Sequence, residues 1–233
     1  MDLSHPILFY LAGIPVRDTV VYTWITMGVI VGIVLILKMF KPNLLEMILE
    51  AVISVVDDAM DVDELHPYIP LLGSLLIFVM TANLISILPG MKSPTSDLNT
   101  TVALALVVVF SVHIYGMIKK GVWKYLKEFA SPIFMLPIEL IGQLSRTLSL
   151  SLRLFGNVLS GDLIVAIVFS IIPMVVPIAM TVLSMVTSIL QAYVLTTLAA
   201  LFISSAVEIN EEDEKMKAEK KSKKRLKEKK GTV

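Results

Sequence analysis

The chain has 233 residues, 56% apolar and 17% charged, with a mean hydropathy of +0.82, whereas a soluble domain carries roughly 45–50% apolar and about 25% charged residues. Its formal neutrality averages two unlike regions, because 10 of the 20 Lys and Arg lie in residues 215–230, leaving 10 basic and 14 acidic side chains in residues 1–208. The absence of cysteine excludes disulfide frameworks and thiolate chemistry, and His5, His66 and His113, far apart in the chain, leave little for a zinc cluster, so no metal or cofactor is expected.

Residues 1–18 are mixed in charge and lead into a full-length apolar run, which argues against a cleavable signal peptide. That run, residues 20–37, and the runs at 71–88 and 100–118 are charge-free and near the roughly 20 residues that cross a bilayer as a helix. Each predicts one span. Residues 43–60 place Leu44, Ile48, Val52 and Val55 on one helical face and Glu46, Glu50 and Asp57 on another, the pattern of an interfacial helix. Residues 119–129 carry four lysines beside Trp123, Tyr125 and Phe129, a headgroup-level mixture expected to grip a membrane surface.

The last apolar block breaks only near Pro173 and Pro177. Proline removes a helical donor and clashes with the preceding turn, so two helices are expected, 138–172 and 173–207, folded as a hairpin. At 1.5 Å per residue each is on the order of 50 Å long, and must tilt strongly or run partly along the membrane. The fold class is therefore all-α: a polytopic membrane protein with about five transmembrane helices, the last two long and strongly tilted as a hairpin, plus an interfacial amphipathic helix. Residues 1–208 form the membrane domain, and residues 209–233, charge-dense and poor in apolar residues, are expected to be a disordered tail, with pairs such as Glu211 and Lys215 able to support a marginal helix. Loop lysines and arginines divide as Lys38, Lys41, Lys119, Lys120, Lys124 and Lys127 on one side against Arg17 and Lys92 on the other, which puts the N-terminus outside and the C-terminus in the cytoplasm.

Ionisable residues in the fourth span need a reason, since a charge at mid-membrane costs at least about 2.5 kcal/mol. Glu139, Gln143, Arg146, Ser149, Arg153, Asn157 and Ser160 recur at gaps of three and four and form one face, expected to point toward protein or water. Thr181, Ser184, Ser188 and Gln191 form a second stripe on the last helix. In an antiparallel hairpin turning at about residue 172, residues whose numbers sum to about 344 lie level, so Arg153 falls level with Gln191, and Asp162 near Thr181 and Ser184. Blander readings stand beside these. Arg146 is within snorkelling reach of the headgroups, Glu139 suits a solvated helix start, Asp162 suits a plain ion-pair partner, Asn157 and Gln191 suit interhelical hydrogen bonds, and His113 suits a packing residue. Arg153 is too deep to snorkel easily from an upright helix.

The run SLSLRLFGNVLSGD at 149–162 closely resembles subunit a of the F-type ATP synthases, as do HPYIPLLGSLLIFVMTANLISILPG at 66–90, PTSDLNTTVALAL at 94–106, PIELIGQLSRTLSLSLRLFGN at 137–157 and LQAYVLTTLAALFI at 190–203. The resemblance covers residues 40–207. It implies that Arg153 is the family's stator arginine, that Asn157, Asp162 and Gln191 occupy its other polar channel positions, and that Glu139 and Arg146 match the carboxylate and basic residue near its cytoplasmic channel mouth. Two departures stand out: Asp162 replaces a glutamate common in the family, and Ser184 replaces a histidine found in many bacterial members.

The same resemblance implies a non-catalytic, ion-translocating FO subunit of a cell membrane. Its partners would be the rotor ring of subunit c, the peripheral stalk subunit b, membrane lipid and, indirectly, the F1 catalytic sector, with no nucleic acid. The outer half-channel is expected along Asp162, Thr181 and Ser184, and the cytoplasmic one along Glu139, Gln143 and the lower stripe. A self-contained secondary transporter is the alternative, but such folds usually carry internal repeats, and none is evident. No G-x-x-x-x-G-K-[ST] phosphate loop is present.

Overall fold

A computed structural model of the chain describes residues 7–11, 14–60, 62, 64–88, 91–123, 125, 136–171 and 176–230; the side chains of residues 7–9, 11, 14, 15, 120, 136, 139, 140, 171, 176 and 177 and those beyond Val207 lie outside that description. Two short strands, β1 (Ile7–Leu11) and β2 (Ile14–Arg17), pair antiparallel. This hairpin is an addition to the all-helical expectation: the mixed residues before the first span form a small ribbon there. Among the described residues six long helices follow: α1 (Asp18–Phe40), α2 (Pro42–Asp57), α3 (Ile69–Leu84), α4 (Leu98–Lys120), α5 (Leu136–Ile171) and α6 (Val176–Lys230). Five of them contain apolar stretches long enough to cross a membrane, at Asp18–Phe40, Ile69–Ile87, Leu98–Lys119, Ile141–Ser170 and Ile178–Val207. The chain is a multi-pass, all-α membrane protein in its spanning part.

Local chemistry sets the helix ends. Pro42 opens α2 and Pro70 lies in the first turn of α3, where a missing N–H costs nothing. Asp97 caps α4 by accepting from the Asn99 N–H at 2.9 Å. At the other end of α4, Gly121 takes φ 76° and its N–H closes on the Met117 carbonyl at 2.8 Å, a conformation that favours glycine. Helix α5 ends at Ile171 and α6 begins at Val176, with Pro177 in its first turn; Pro173, the other proline of the expected break, lies outside the described residues. Their 30-residue apolar stretches are each about 45 Å long, longer than the hydrocarbon layer of about 30 Å.

The core joins α3, α4, α5 and α6. Leu72 and Val79 of α3, Ala105 and Val108 of α4, Leu154 of α5, and Ala192, Leu195, Ala199, Ala200 and Ile203 of α6 form one buried cluster. Alanines let α6 approach its neighbours closely, which is how helices associate where lipid is as apolar as the side chains. By contrast, only 6% of the apolar stretch of α1 is buried within the chain against 44% of that in the last span, so α1 stands at the periphery of the bundle. Helix α2 packs against the chain through one end of its apolar face. Val52 and Val56 are buried, Val52 against Gly73, where any added side chain would begin 2.9 Å from it, while Leu44 and Ile48 remain exposed. The tail backbone continues α6 as helix to Lys230.

Candidate functional site

Two hollows lie along the α5–α6 hairpin. The larger, about 910 Å³, is bounded by α5 at Phe155, Leu159, Asp162 and Phe169 and by α6 at Thr181, Ser184, Met185 and Ser188; Asn83 of α3, Ser96 and Asp97 of the loop to α4, and Asn99 in the first turn of α4 close the remaining wall. The smaller cleft, about 250 Å³, is lined by Ser145, Arg146, Ser149, Leu150 and Arg153 of α5 and Leu198 and Phe202 of α6. No residue lines both. In the register of the hairpin, Leu154, Asn157, Gln191 and Leu195 lie between them, with Leu154 and Leu195 fully buried.

Helical spacing places the expected residues as follows. Asp162, Ser184, Thr181 and Ser188 come together in the large cavity, and Arg146, Ser149 and Arg153 in the small cleft. Asn157 stands at the junction, its amide donating to the Thr187 carbonyl at 3.4 Å and to Gln191 Oε1 at 3.5 Å. Gln191 is buried, and its Nε2 has no hydrogen-bond partner among the described residues. Ser184 faces Gly161, where a Cβ would sit 2.8 Å from the Ser184 hydroxyl oxygen. The Asn157–Thr187 and Gly161–Ser184 contacts follow the level rule inferred from the hairpin turn. Arg146 stacks over the Phe202 ring, 4.9 Å from its centroid. Gln143 is half-buried and outside the small cleft's lining, with its carbonyl accepting from the Thr147 hydroxyl at 2.8 Å. Glu139 lies near the start of α5, and its side chain is outside the described residues.

The polar stripe of α5 lies beside the face that the helix buries within the chain. The face buried within the chain is Thr147, Leu150, Ser151, Leu154 and Val158, whereas Arg146, Ser149, Arg153 and Ser160 are exposed. Stripe and buried face lie side by side on the helix, so the charged groups open sideways out of the bundle. Among the described residues, Arg153 has neither an ion pair nor a hydrogen bond. It lies 12 residues from the start of the Ile141–Ser170 stretch, about 18 Å along the axis. The guanidinium at that depth stands open to a group from outside the chain.

A polar network missing from the sequence reading holds the other wall of the large cavity. Asp97 is 4% exposed. Its Oδ1 accepts from the Asn99 N–H and side-chain amide, and its Oδ2 accepts from the Thr19 hydroxyl at 2.9 Å and lies 3.7 Å from Arg17. Asp18, also buried, pairs with Lys92 at 3.3 Å. Asn83 ties the loop to the hairpin: its Oδ1 accepts from the Thr95 hydroxyl at 2.6 Å and its amide donates to the Ser188 carbonyl at 3.3 Å. Asp97 was legible as an N-cap ahead of the apolar run at 100–118, but its reach to α1 was not. His113 behaves as a satisfied packing residue, with Nδ1 2.7 Å from the Tyr125 hydroxyl.

Residues 20–204 match the family model described as the ATP synthase A chain. The chain belongs to that family. Relatives of the ATP synthase A chain family agree over most of its length. The chain is 38% identical to ATP synthase subunit a 2 of a Picosynechococcus species over 227 residues, 93% of this chain and 97% of the relative. It is also 38% identical to ATP synthase subunit a 2 of a Bradyrhizobium species over 213 residues, 88% and 95% of the two chains. With ATP synthase subunit a 1 of Chlorobaculum parvum the identity is 41% over 145 residues, 62% and 64%. Both hollows and the network around Asp97 fall within the residues that the ATP synthase A chain family covers, apart from Arg17, Asp18 and Thr19.

Proposed function

We propose that this chain is the ion-translocating stator subunit of an ATP synthase membrane sector, in which Arg153 faces the carboxylates of a rotor ring between two half-channels. The observation that carries this reading is an exposed arginine, unpaired among the described residues, deep in a spanning helix, beside a cleft on one side and separated from a larger cavity by a packed layer on the other. The large cavity serves as the outer half-channel, with Asp162 as its titratable station and Thr181, Ser184 and Ser188 as polar wall. The small cleft, with Arg146 and Ser149, begins the cytoplasmic half-channel, and Glu139 and Gln143 lie toward its mouth. Asn157 and Gln191 sit at the divide and orient water and side chains there.

The chemistry follows from charge. At about 4 Å and an effective dielectric near 20, a guanidinium attracts a carboxylate by roughly 4 kcal/mol, equivalent to a pKa lowering of about 3 units. A protonated rotor site arriving at Arg153 therefore releases its ion, and the ionised site is stabilised only at that station. The same positive charge repels cations that would pass straight from one hollow to the other. One charge crossing 100 mV yields about 2.3 kcal/mol, so several ions serve each ATP, and rotation couples them to a soluble catalytic sector. In this reading the N-terminus is outside and the C-terminus cytoplasmic, a peripheral stalk holds the chain against the ring's torque, and the chain itself performs no bond chemistry.

The test is ATP-driven ion pumping in membrane vesicles. Arg153→Ala abolishes pumping while the chain still purifies with a hairpin ring and stalk; undiminished pumping refutes the stator role.

A further inference from the structure

We propose that the large cavity is a binding site for lipophilic organic monocations, molecules that carry one cationic centre on an apolar, partly aromatic body. At about 910 Å³ it falls within the roughly 300–1,000 Å³ of sites that enclose drug-sized ligands. Its α5 wall has one carboxylate set in an apolar face. Phe155, Leu159, Asp162, Ala166 and Phe169 follow one another at gaps of four, three, four and three, so all five line the hollow from one side of the helix. The two phenylalanines each stand seven residues from Asp162, about 10 Å along the axis in either direction. A cation held at the carboxylate therefore finds an aromatic ring on each side, within reach of a short apolar arm. The α6 wall opposite supplies Met185 and the hydroxyls of Ser184 and Ser188.

The charges of the cavity select the sign of the ligand. Arg17 pairs with Asp97 at 3.7 Å and Lys92 with Asp18 at 3.3 Å, whereas Asp162 has neither an ion pair nor a hydrogen bond among the described residues. A half-buried carboxylate in that state is stabilised by an incoming positive charge and repels an anion. A divalent metal ion takes several oxygen ligands, and no group of three His, Asp or Glu able to hold one occurs among the described residues. A bare inorganic cation satisfies the carboxylate but leaves the apolar side chains around it in water, among them Phe169, which is 59% exposed. An organic cation covers both. One consequence rests on the reading of this cavity as the outer half-channel: a ligand seated at Asp162 stops ions from reaching the divide.

The experiment uses the assembled complex in nanodiscs and the photolabel para-benzoylbenzyl-trimethylammonium, whose charge is permanent, with attachment sites read by mass spectrometry of the chain's peptides. The readout is labelling of the cavity segments 155–169 and 181–188 relative to labelling of the exposed helix α1, which normalises for partition into the bilayer. The ratio is expected to fall at least about tenfold, equivalent to about 1.4 kcal/mol, when the label is replaced by its neutral isostere with a tert-butyl group in place of trimethylammonium, and again in Asp162→Asn with the charged label. Asp162→Glu, which keeps the charge, is expected to retain the ratio, and Phe169→Ala to lower it at least about threefold, for half of a phenylalanine's burial. Equal ratios for the charged and neutral labels overturn the proposal, as does a ratio unchanged in Asp162→Asn or labelling absent from the cavity. ATP-driven pumping is followed in the same samples as a fraction of each rate without label. Inhibition that tracks cavity labelling is expected, whereas full labelling with undiminished pumping upholds the binding site and refutes the half-channel reading.

Discussion

Asp97 is the residue whose removal tests the cavity wall most directly. Its carboxylate caps α4 through the Asn99 N–H and accepts the hydroxyl of Thr19, which is 1% exposed. Replacing it with alanine removes an N-cap worth about 1 kcal/mol and strands a buried hydroxyl at a cost of about 1–3 kcal/mol. The pair with Arg17 at 3.7 Å adds little, because Arg17 is half exposed. Asp97→Ala is thus expected to lower stability by about 2–4 kcal/mol. Asparagine caps a helix about as well as aspartate and its amide still pairs with Thr19, so Asp97→Asn is expected to cost about 1 kcal/mol. Unfolding of the purified chain in mixed micelles as the denaturing detergent fraction rises measures both, and ATP-driven pumping measures the functional consequence. Because the same carboxylate holds α1 against the loop that walls the large cavity, Asp97→Ala is expected to lose pumping in step with stability. An alanine variant as stable as the parent, or an asparagine variant as damaged as the alanine one, refutes the assignment of the network's strength to these bonds.

Two further substitutions probe the cavity. Asp162→Asn is expected to impair pumping while the yield of assembled complex stays unchanged, since it removes a titratable group from the wall shared with Thr181 and Ser184; normal coupled rates move the outer path elsewhere. Gly161→Ala places a Cβ 2.8 Å from the Ser184 hydroxyl oxygen and 3.8 Å from its Cβ, so it is expected to push the helices apart and reduce pumping. Adding Ser184→Ala removes the clash and should return activity to that of Ser184→Ala alone; a double variant no better than Gly161→Ala shows that the loss has another source.

Spans, amphipathic helix and hairpin were legible in the sequence because each rests on a rule that acts along the chain. An uncharged run of sufficient length must be helical in lipid, Pro173 and Pro177 must interrupt one, and residues three and four apart must share a face. From these rules came the five spans, the depth of Arg153, and the levelling of Asp162 with Thr181 and Ser184. Which face of α5 is buried was not legible, since Thr147, Ser151 and Val158 look no more internal than Ser149 or Ser160; packing against the small side chains of α6 decided it. Likewise Asn83, Thr95 and Ser93 read as isolated polar residues until folding brought Asn83 within 3.3 Å of a carbonyl 105 positions away. Arg17 and Lys92 were counted from sequence as loop charge, but only the tertiary structure paired them with Asp97 and Asp18. Local periodicity is written in neighbouring residues, whereas hydrogen bonds and ion pairs between distant segments depend on distances that exist only once the helices have packed.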